Sequence, residues 1–261
     1  MLRPRIIPCL LIHNYGLVKT IQFKSPRYIG DPINAVRIFN EKEVDELIVL
    51  DIDSTVNSRE PNYEIIAKLA NECRMPLCYG GGVKSVDQAK KIISLGVEKI
   101  SISSCAIENP EILLSIVNEI GRQSVVVTLD VMKTKNSNDY IIFLNNGKEN
   151  TQKNVINHAL LMEKYGAGEL IINSINNDGL MNGYDLFLAK KLKNIINIPI
   201  SILGGAGSLD DIERLISTCG LVGACAGSLF IYKGALKGVL INYPSIDQRE
   251  QIYHRVFGGS I

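Results

Sequence analysis

"MPLCYGGGVKSVDQAKKIIS" at 75–94 recurs 123 positions further on as "IPISILGGAGSLDDIERLIS" at 198–217. Pro76 maps onto Pro199, Gly81 onto Gly204, Gly82 onto Gly205, Ser85 onto Ser208, Asp87 onto Asp210 and Ser94 onto Ser217. Each copy is a short apolar run, a glycine-rich turn and an amphipathic segment. In the first, Val86, Ala89, Ile92 and Ile93 share one helical face, and Ser85 with Gln88 makes a capping-box pattern at its start. The same shift carries "ELIVLDID" from Glu46 onto "ELIINSIN" from Glu169, and after one inserted residue Ser104 falls on Ser228. Strand three is thus the twin of strand seven, two of six, and four of eight.

Working outward, eight β-rich runs alternate with helical ones: "RIIPCLLI", "ELIVLDI", "PLCYG", "KISIS", "SVVVTLDV", "ELIINSI", "PISILG" and "LVGACAG". Such alternation fits a closed barrel or an open doubly wound sheet, and two matching four-strand halves favour closure. The fold class expected is α/β, a (β/α)8 TIM barrel built from two repeated (β/α)4 halves, forming one domain over residues 1–261. The polar stretch 134–151 is expected to be a flap on the loop after strand five.

The 261 residues are 46% hydrophobic, enough for one large core, and the net charge of +1 gives no electrostatic case for nucleic-acid or membrane binding. No apolar run is long enough for a membrane span, and none reads as a signal peptide. Six scattered cysteines without a C-x-x-C pair read as reduced, in a cytoplasmic protein. Cys9, Cys105 and Cys225 read as small apolar fillers. Neither a metal nor a cofactor is expected. His158 reads as a helix-surface residue.

The glycine turns carry chemistry. Gly81 and Gly82 follow strand three, and Gly204 and Gly205 follow strand seven, each leading into a helix whose first amides can bind an anion. Ser103 and Ser104 end strand four, and Gly227 and Ser228 end strand eight, offering donors beside those turns. Barrel phosphate sites commonly lie after strands seven and eight, and a doubled chain carries the site twice. The expected ligand is a phosphorylated small molecule. A dinucleotide fold fits poorly, since neither turn has the G-x-G-x-x-G spacing after the first strand.

The order "RIIPCL", "DELIVLDID", "YGGGVKS", "EKISISS", "VVVTLD", "GAGELIINSINNDG", "NGYD" and "GGAGS" resembles the HisF family, the cyclase subunit of imidazole glycerol phosphate synthase, over nearly the whole chain. The resemblance implies a barrel whose N-terminal face receives a HisH-like glutaminase. It implies ammonia passing through the barrel to a substrate with two phosphates, and two acids at the ends of strands one and five. On that pattern Asp130 is the strand-five acid, and Leu11 stands where the strand-one acid is expected. Lys19 and Asp51 are substrate-loop positions. Asp178 and Gly179 join the phosphate elements. Arg5, Glu46, Lys99 and Glu169 correspond to the charged gate of the ammonia entrance; a structural plug is the plainer alternative.

Strand one, "RIIPCLLIHN" from Arg5 to Asn14, and strand five, "SVVVTLDVMK" from Ser124 to Lys133, have the same shape, but an isobutyl group cannot exchange a proton. His13 shares the parity of Leu11 one step further out and reads as a polar loop residue. The combination resembles HisF-like proteins that work with a glutaminase and a sugar amidotransferase to form acetamidino groups on surface sugars, in O-antigen or nonulosonic-acid pathways. Two alternatives stand: a genuine histidine-pathway cyclase that tolerates Leu11, and a non-catalytic barrel that activates its glutaminase.

Overall fold

The protein is seen in a computed structural model, which describes residues 3–134 and 139–258. Eight parallel strands close into a barrel: β1 (Arg5–His13), β2 (Leu47–Asp51), β3 (Leu77–Gly80), β4 (Lys99–Ile102), β5 (Val125–Lys133), β6 (Glu169–Ser174), β7 (Ile200–Leu203) and β8 (Gly223–Ala226). Neighbours pair in sequence order, and β1 closes on β8 with Arg5 opposite Gly223 and Pro8 opposite Ala226. All eight coincide with the runs read from the sequence. Their β-branched and aliphatic residues suit strands covered on both faces.

The helices following the strands are α1 (Pro32–Glu41), α2 (Tyr63–Glu72), α3 (Val86–Ser94), α4 (Pro110–Ile120), α5 (Val155–Lys164), α6 (Leu186–Lys193), α7 (Leu209–Cys219) and α8 (Ile246–Phe257). Their buried faces and the outward side chains of the strands form the larger core, from Phe39 and Leu69 to Leu215 and Ile252. A second, smaller cluster fills the lumen: Ile7, Cys9, Ile48, Cys78, Val126, Ile171, Leu203 and Cys225. Two clusters follow from strand alternation, which sends odd residues of β1 inward and even ones outward.

The repeat survives in three dimensions. Ser85 and Ser208 are the N-caps of α3 and α7, with φ, ψ of −144°, 160° and −149°, 166°. Only the second has the full reciprocal box, through Asp211. In the first, Gln88 Oε1 accepts instead from the Lys84 amide at 2.8 Å, so the expected box is half formed.

Two features depart from the sequence reading, and a third gives the expected flap its form. The segment after β1 is a β-hairpin, Gly16–Ile21 with Lys24–Gly30, so Lys19 lies on a strand and not in a loop. The expected flap after β5 is likewise a hairpin, Tyr140–Leu144 with Glu149–Asn154; residues 135–138 of it lie outside the described residues. His158 is buried, not on the surface: Val155, His158, Ala159 and Met162 form the inner face of α5. Burial pushes its imidazole pKa down to about 4, with Lys153 adding repulsion, and its Nε2 has no partner among the described residues. Helical spacing identifies the inner face only once the neighbouring packing is known, and a histidine in that stripe reads either way.

Loss of an N-cap oxygen costs about 1 kcal/mol. Ser208→Ala and Ser85→Ala are each expected to destabilise by about that amount, because each removes one hydroxyl acceptor, while the Ser208 amide keeps its bond to Asp211. Urea unfolding of the two variants compares them directly.

Candidate functional site

At the N-terminal end of the barrel four charges form a closed ring. Arg5 pairs with Glu46 and, through Nη2, with Glu169 Oε1 at 2.7 Å. Lys99 Nζ reaches Glu46 Oε1 at 2.8 Å and Glu169 Oε2 at 3.0 Å. Ser201 Oγ donates to Glu169 Oε1 at 2.6 Å. Glu46 and Glu169 are 4% and 6% exposed, so their pairing must offset a large desolvation cost. Burial raises the Glu169 pKa, but Arg5, Lys99 and Ser201 together hold it below the ordinary carboxylate range. The Lys99 pKa rises, its two acids outweighing burial. The four side chains singled out in the sequence thus meet at one place.

The mouth at the C-terminal ends of the strands holds a cavity of about 290 Å³. Gly81, Gly82, Ser103 and Ser104 line it beside β3 and β4; Gly204, Gly205, Gly227 and Ser228 line it beside β7 and β8. The two groups are four strands apart in an eight-stranded ring, hence on opposite sides. Gly205, at φ 104°, cannot take a side chain, since a Cβ there would lie 2.1 Å from the Gly183 carbonyl oxygen. The short helices Ser104–Glu108 and Ser228–Ile231 begin at these turns without a side-chain cap, leaving first-turn amides available to an anion.

Asp130 projects from β5 into the same cavity, and Leu11 projects from β1, opposite it in the ring. Burial pushes the Asp130 pKa up to about 7; the hydrogen bond from Asn173 Nδ2, at 2.9 Å, opposes this, and the negative Asp178 adds to it. A carboxyl poised near neutrality can exchange protons at working pH. Leu11 packs against the lumen cluster and supplies no second proton carrier.

Lys19 is buried, its Nζ donating to the Cys9 carbonyl oxygen at 2.7 Å. Burial lowers its pKa, opposed by Cys9 and Asp178. It lies against Gly227, where a Cβ would come within 2.3 Å of Nζ. Asp178 and Gly179 also line the cavity, but Asp178 fastens the Gly16–Gly30 hairpin: its Oδ2 accepts from Thr20 Oγ1 at 2.7 Å and the Phe23 amide at 3.1 Å. A Cβ on Gly179 would lie 2.2 Å from the Thr20 carbonyl oxygen. Asp51 shapes its own loop, accepting from the Asp53 amide at 2.8 Å and Ser54 Oγ at 2.7 Å. His13 lies outside this cavity and binds Asp53 through Nδ1 at 2.7 Å.

Sequence reasoning passed over Asn173, which sat within an apolar run. The parity of Glu169 and Ile171 was the available signal, because it sends Asn173 inward too.

The sequence pattern of the family described as "Histidine biosynthesis protein" matches residues 5–237. A Leptospira borgpetersenii protein, provisionally named imidazole glycerol phosphate synthase subunit HisF, is 55% identical over 253 residues, covering 97% of this chain and 100% of the relative. A Vibrio vulnificus protein, provisionally named subunit hisF3 of the same synthase, is 50% identical over 251 residues, 96% of each chain. The imidazole glycerol phosphate synthase subunit HisF of Lactococcus lactis is 38% identical over 232 residues, 89% of this chain and 90% of its own. Among the described residues no helix is long and apolar enough to cross a membrane.

Two outcomes follow from the electrostatics. A carboxyl whose pKa is raised by folding costs stability once pH exceeds its unfolded value, and the full cost is reached above about 7. Asp130→Asn is therefore expected to raise the melting temperature at alkaline pH and leave it nearly unchanged at pH ~4, as calorimetry across that range would show. Glu169 has the opposite sign: its stabilisation is present above the unfolded value near ~4.3 and is lost as pH falls through its lower folded value. Glu169→Gln is expected to cost about 3–5 kcal/mol at neutral pH and to flatten the acid limb of a stability–pH curve from urea unfolding.

Proposed function

The chain belongs to the histidine biosynthesis protein family as a HisF-type synthase subunit, and on that premise we propose that it passes ammonia from a HisH-like glutaminase along the barrel for nitrogen transfer. The acceptor is a surface-sugar precursor whose N-acetyl group becomes an acetamidino group with the help of a sugar amidotransferase, the carbonyl oxygen leaving as the ammonia nitrogen takes its place. The observation that carries this reading is the asymmetry of the mouth. Asp130 and Leu11 occupy matching inward positions on opposite strands, so one proton carrier stands where a ring-closing pair would need two. Identity of 55% and 50% to the provisionally named HisF proteins, against 38% to the Lactococcus lactis HisF, is the pattern expected of a separate branch.

In this reading the glutaminase docks at the N-terminal face. The charged ring is the gate there: two bases shared between two acids can re-pair as one member swings aside. Above it the lumen is lined by small and apolar groups, with a hydrogen bond of 2.6 Å between Ser101 and Thr128, an environment that favours neutral ammonia over ammonium. The N-terminal and C-terminal ends of the barrel then divide the labour of admission and transfer.

A second reading has its own support. Both anion cradles persist on opposite sides of the mouth, as a substrate with two phosphates requires. This favours a cyclase of the histidine pathway in which Asp130 works without a partner acid.

Complementation separates the two. A strain lacking the histidine cyclase is expected not to grow without histidine when supplied with this chain; growth would overturn the sugar reading. In the reconstituted complex, amide-¹⁵N glutamine is expected to label the amidino nitrogen of the sugar. A barrel that only stimulates its glutaminase would release the label as free ammonium. Leu11→Asp, which restores the second carboxyl, is expected to bring a detectable rate of imidazole cyclisation.

A further inference from the structure

Asn173 stands beside Asp130 by register: in the β5–β6 pairing the two residues are directly opposite. Alternation turns both side chains into the mouth cavity, which both line. Asn173 Nδ2 donates to Asp130 Oδ1 at 2.9 Å. That bond orients the amide, because a carboxylate can only accept, and it leaves Asn173 Oδ1 as an acceptor. Asn173 is 6% exposed, and its Oδ1 has no partner among the described residues. A buried acceptor left without a donor is costly and calls for an explanation.

The other ionisable groups singled out at this mouth are already engaged. Lys19 is bound to the Cys9 carbonyl, Asp51 to its own loop and Asp178 to the hairpin. Asp130 and Asn173 therefore offer two adjacent acceptors, one negatively charged, against a wall where Leu11 supplies no donor. A hydroxyl brings one hydrogen to such a pair. A nitrogen with two or more N–H bonds brings one to each, and a positive charge complements the carboxylate.

The geometry points to Asp130 and Asn173 as a paired acceptor site for a cationic nitrogen bearing at least two N–H bonds, an ammonium or an amidinium group. This deepens the nitrogen-transfer reading, naming the seat of the nitrogen and Asn173 as its second contact. When Asp130 takes up a proton the site loses its charge and one acceptor, so occupancy depends on the ionised form.

The test uses the full chain with aspartate carboxyls labelled with ¹³C, the Asp130 signal being identified by its loss in Asp130→Asn. Methylammonium, acetamidinium and tetramethylammonium chlorides are titrated at a pH about two units above the Asp130 midpoint, where the carboxylate is ionised with or without its neighbour. The two N–H cations are expected to bind, and tetramethylammonium at least about tenfold more weakly, a difference worth roughly one charge-assisted hydrogen bond. Asn173→Leu is expected to weaken methylammonium by about tenfold at that same pH, while Asn173→Asp, which keeps the second acceptor, retains binding. Tighter methylammonium marks the seat of incoming ammonia; tighter acetamidinium marks that of the product.

Equal binding of tetramethylammonium would reduce the site to bare charge and overturn the inference, as would unchanged binding in a folded Asn173→Leu variant. The measurement needs no glutaminase. Failure of ¹⁵N transfer in the complex, with Asn173-dependent cation binding intact, would sink the proposed function and leave this site standing.

Discussion

Closure of the sheet is the constraint on which the rest depends. Once β1 pairs with β8, every strand has neighbours on both sides, and alternation leaves each side chain only two destinations. The seam is tight. Gly223 lies opposite Arg5, and a Cβ there would come 1.9 Å from Ser201 Oγ. That hydroxyl is the one bonded to Glu169. A missing side chain on β8 thus makes room for the polar contact that completes the charged ring.

Along the barrel axis the inward residues change character in layers. The bottom layer is fully charged and self-neutralising, two bases against two acids. The middle is aliphatic, interrupted by Cys9, Cys78 and Cys225, whose thiol pKa values burial drives upward. These thiols stay protonated and act as small apolar lining. The top layer holds Asp130, a carboxyl with no oppositely charged partner among the described residues. The fold invests stability at the bottom, where pairing offsets desolvation, and gives some up at the top, where a raised carboxyl pKa is chemically useful. Stability and reactivity are set at opposite ends of the same strands.

Duplication explains which features come in pairs and which do not. Turns after β3 and β7 keep their glycines, and their helices keep serine caps, because backbone geometry leaves few substitutes. The strand ends of β1 and β5 are under no such backbone constraint. There Leu11 and Asp130 have diverged, and each is followed by a hairpin, Gly16–Gly30 after one and Tyr140–Asn154 after the other. The first hairpin is held by Asp178, so a residue beyond β6 controls how Lys19 enters the mouth.

The sequence by itself determined the eight strands, the twofold repeat and the paired glycine turns. All of these rest on local periodicity or on the shape of a turn, which neighbouring residues dictate. Tertiary structure alone decided that Lys19 is buried on a hairpin strand, that Asp178 serves as its fastener, that His158 faces inward and that Asn173 donates to Asp130. Each of these depends on a contact between residues distant in the chain: Thr20 with Asp178, or Asn173 with Asp130. Side-chain polarity gives the capacity for such a bond, and only the closed barrel chooses the partner.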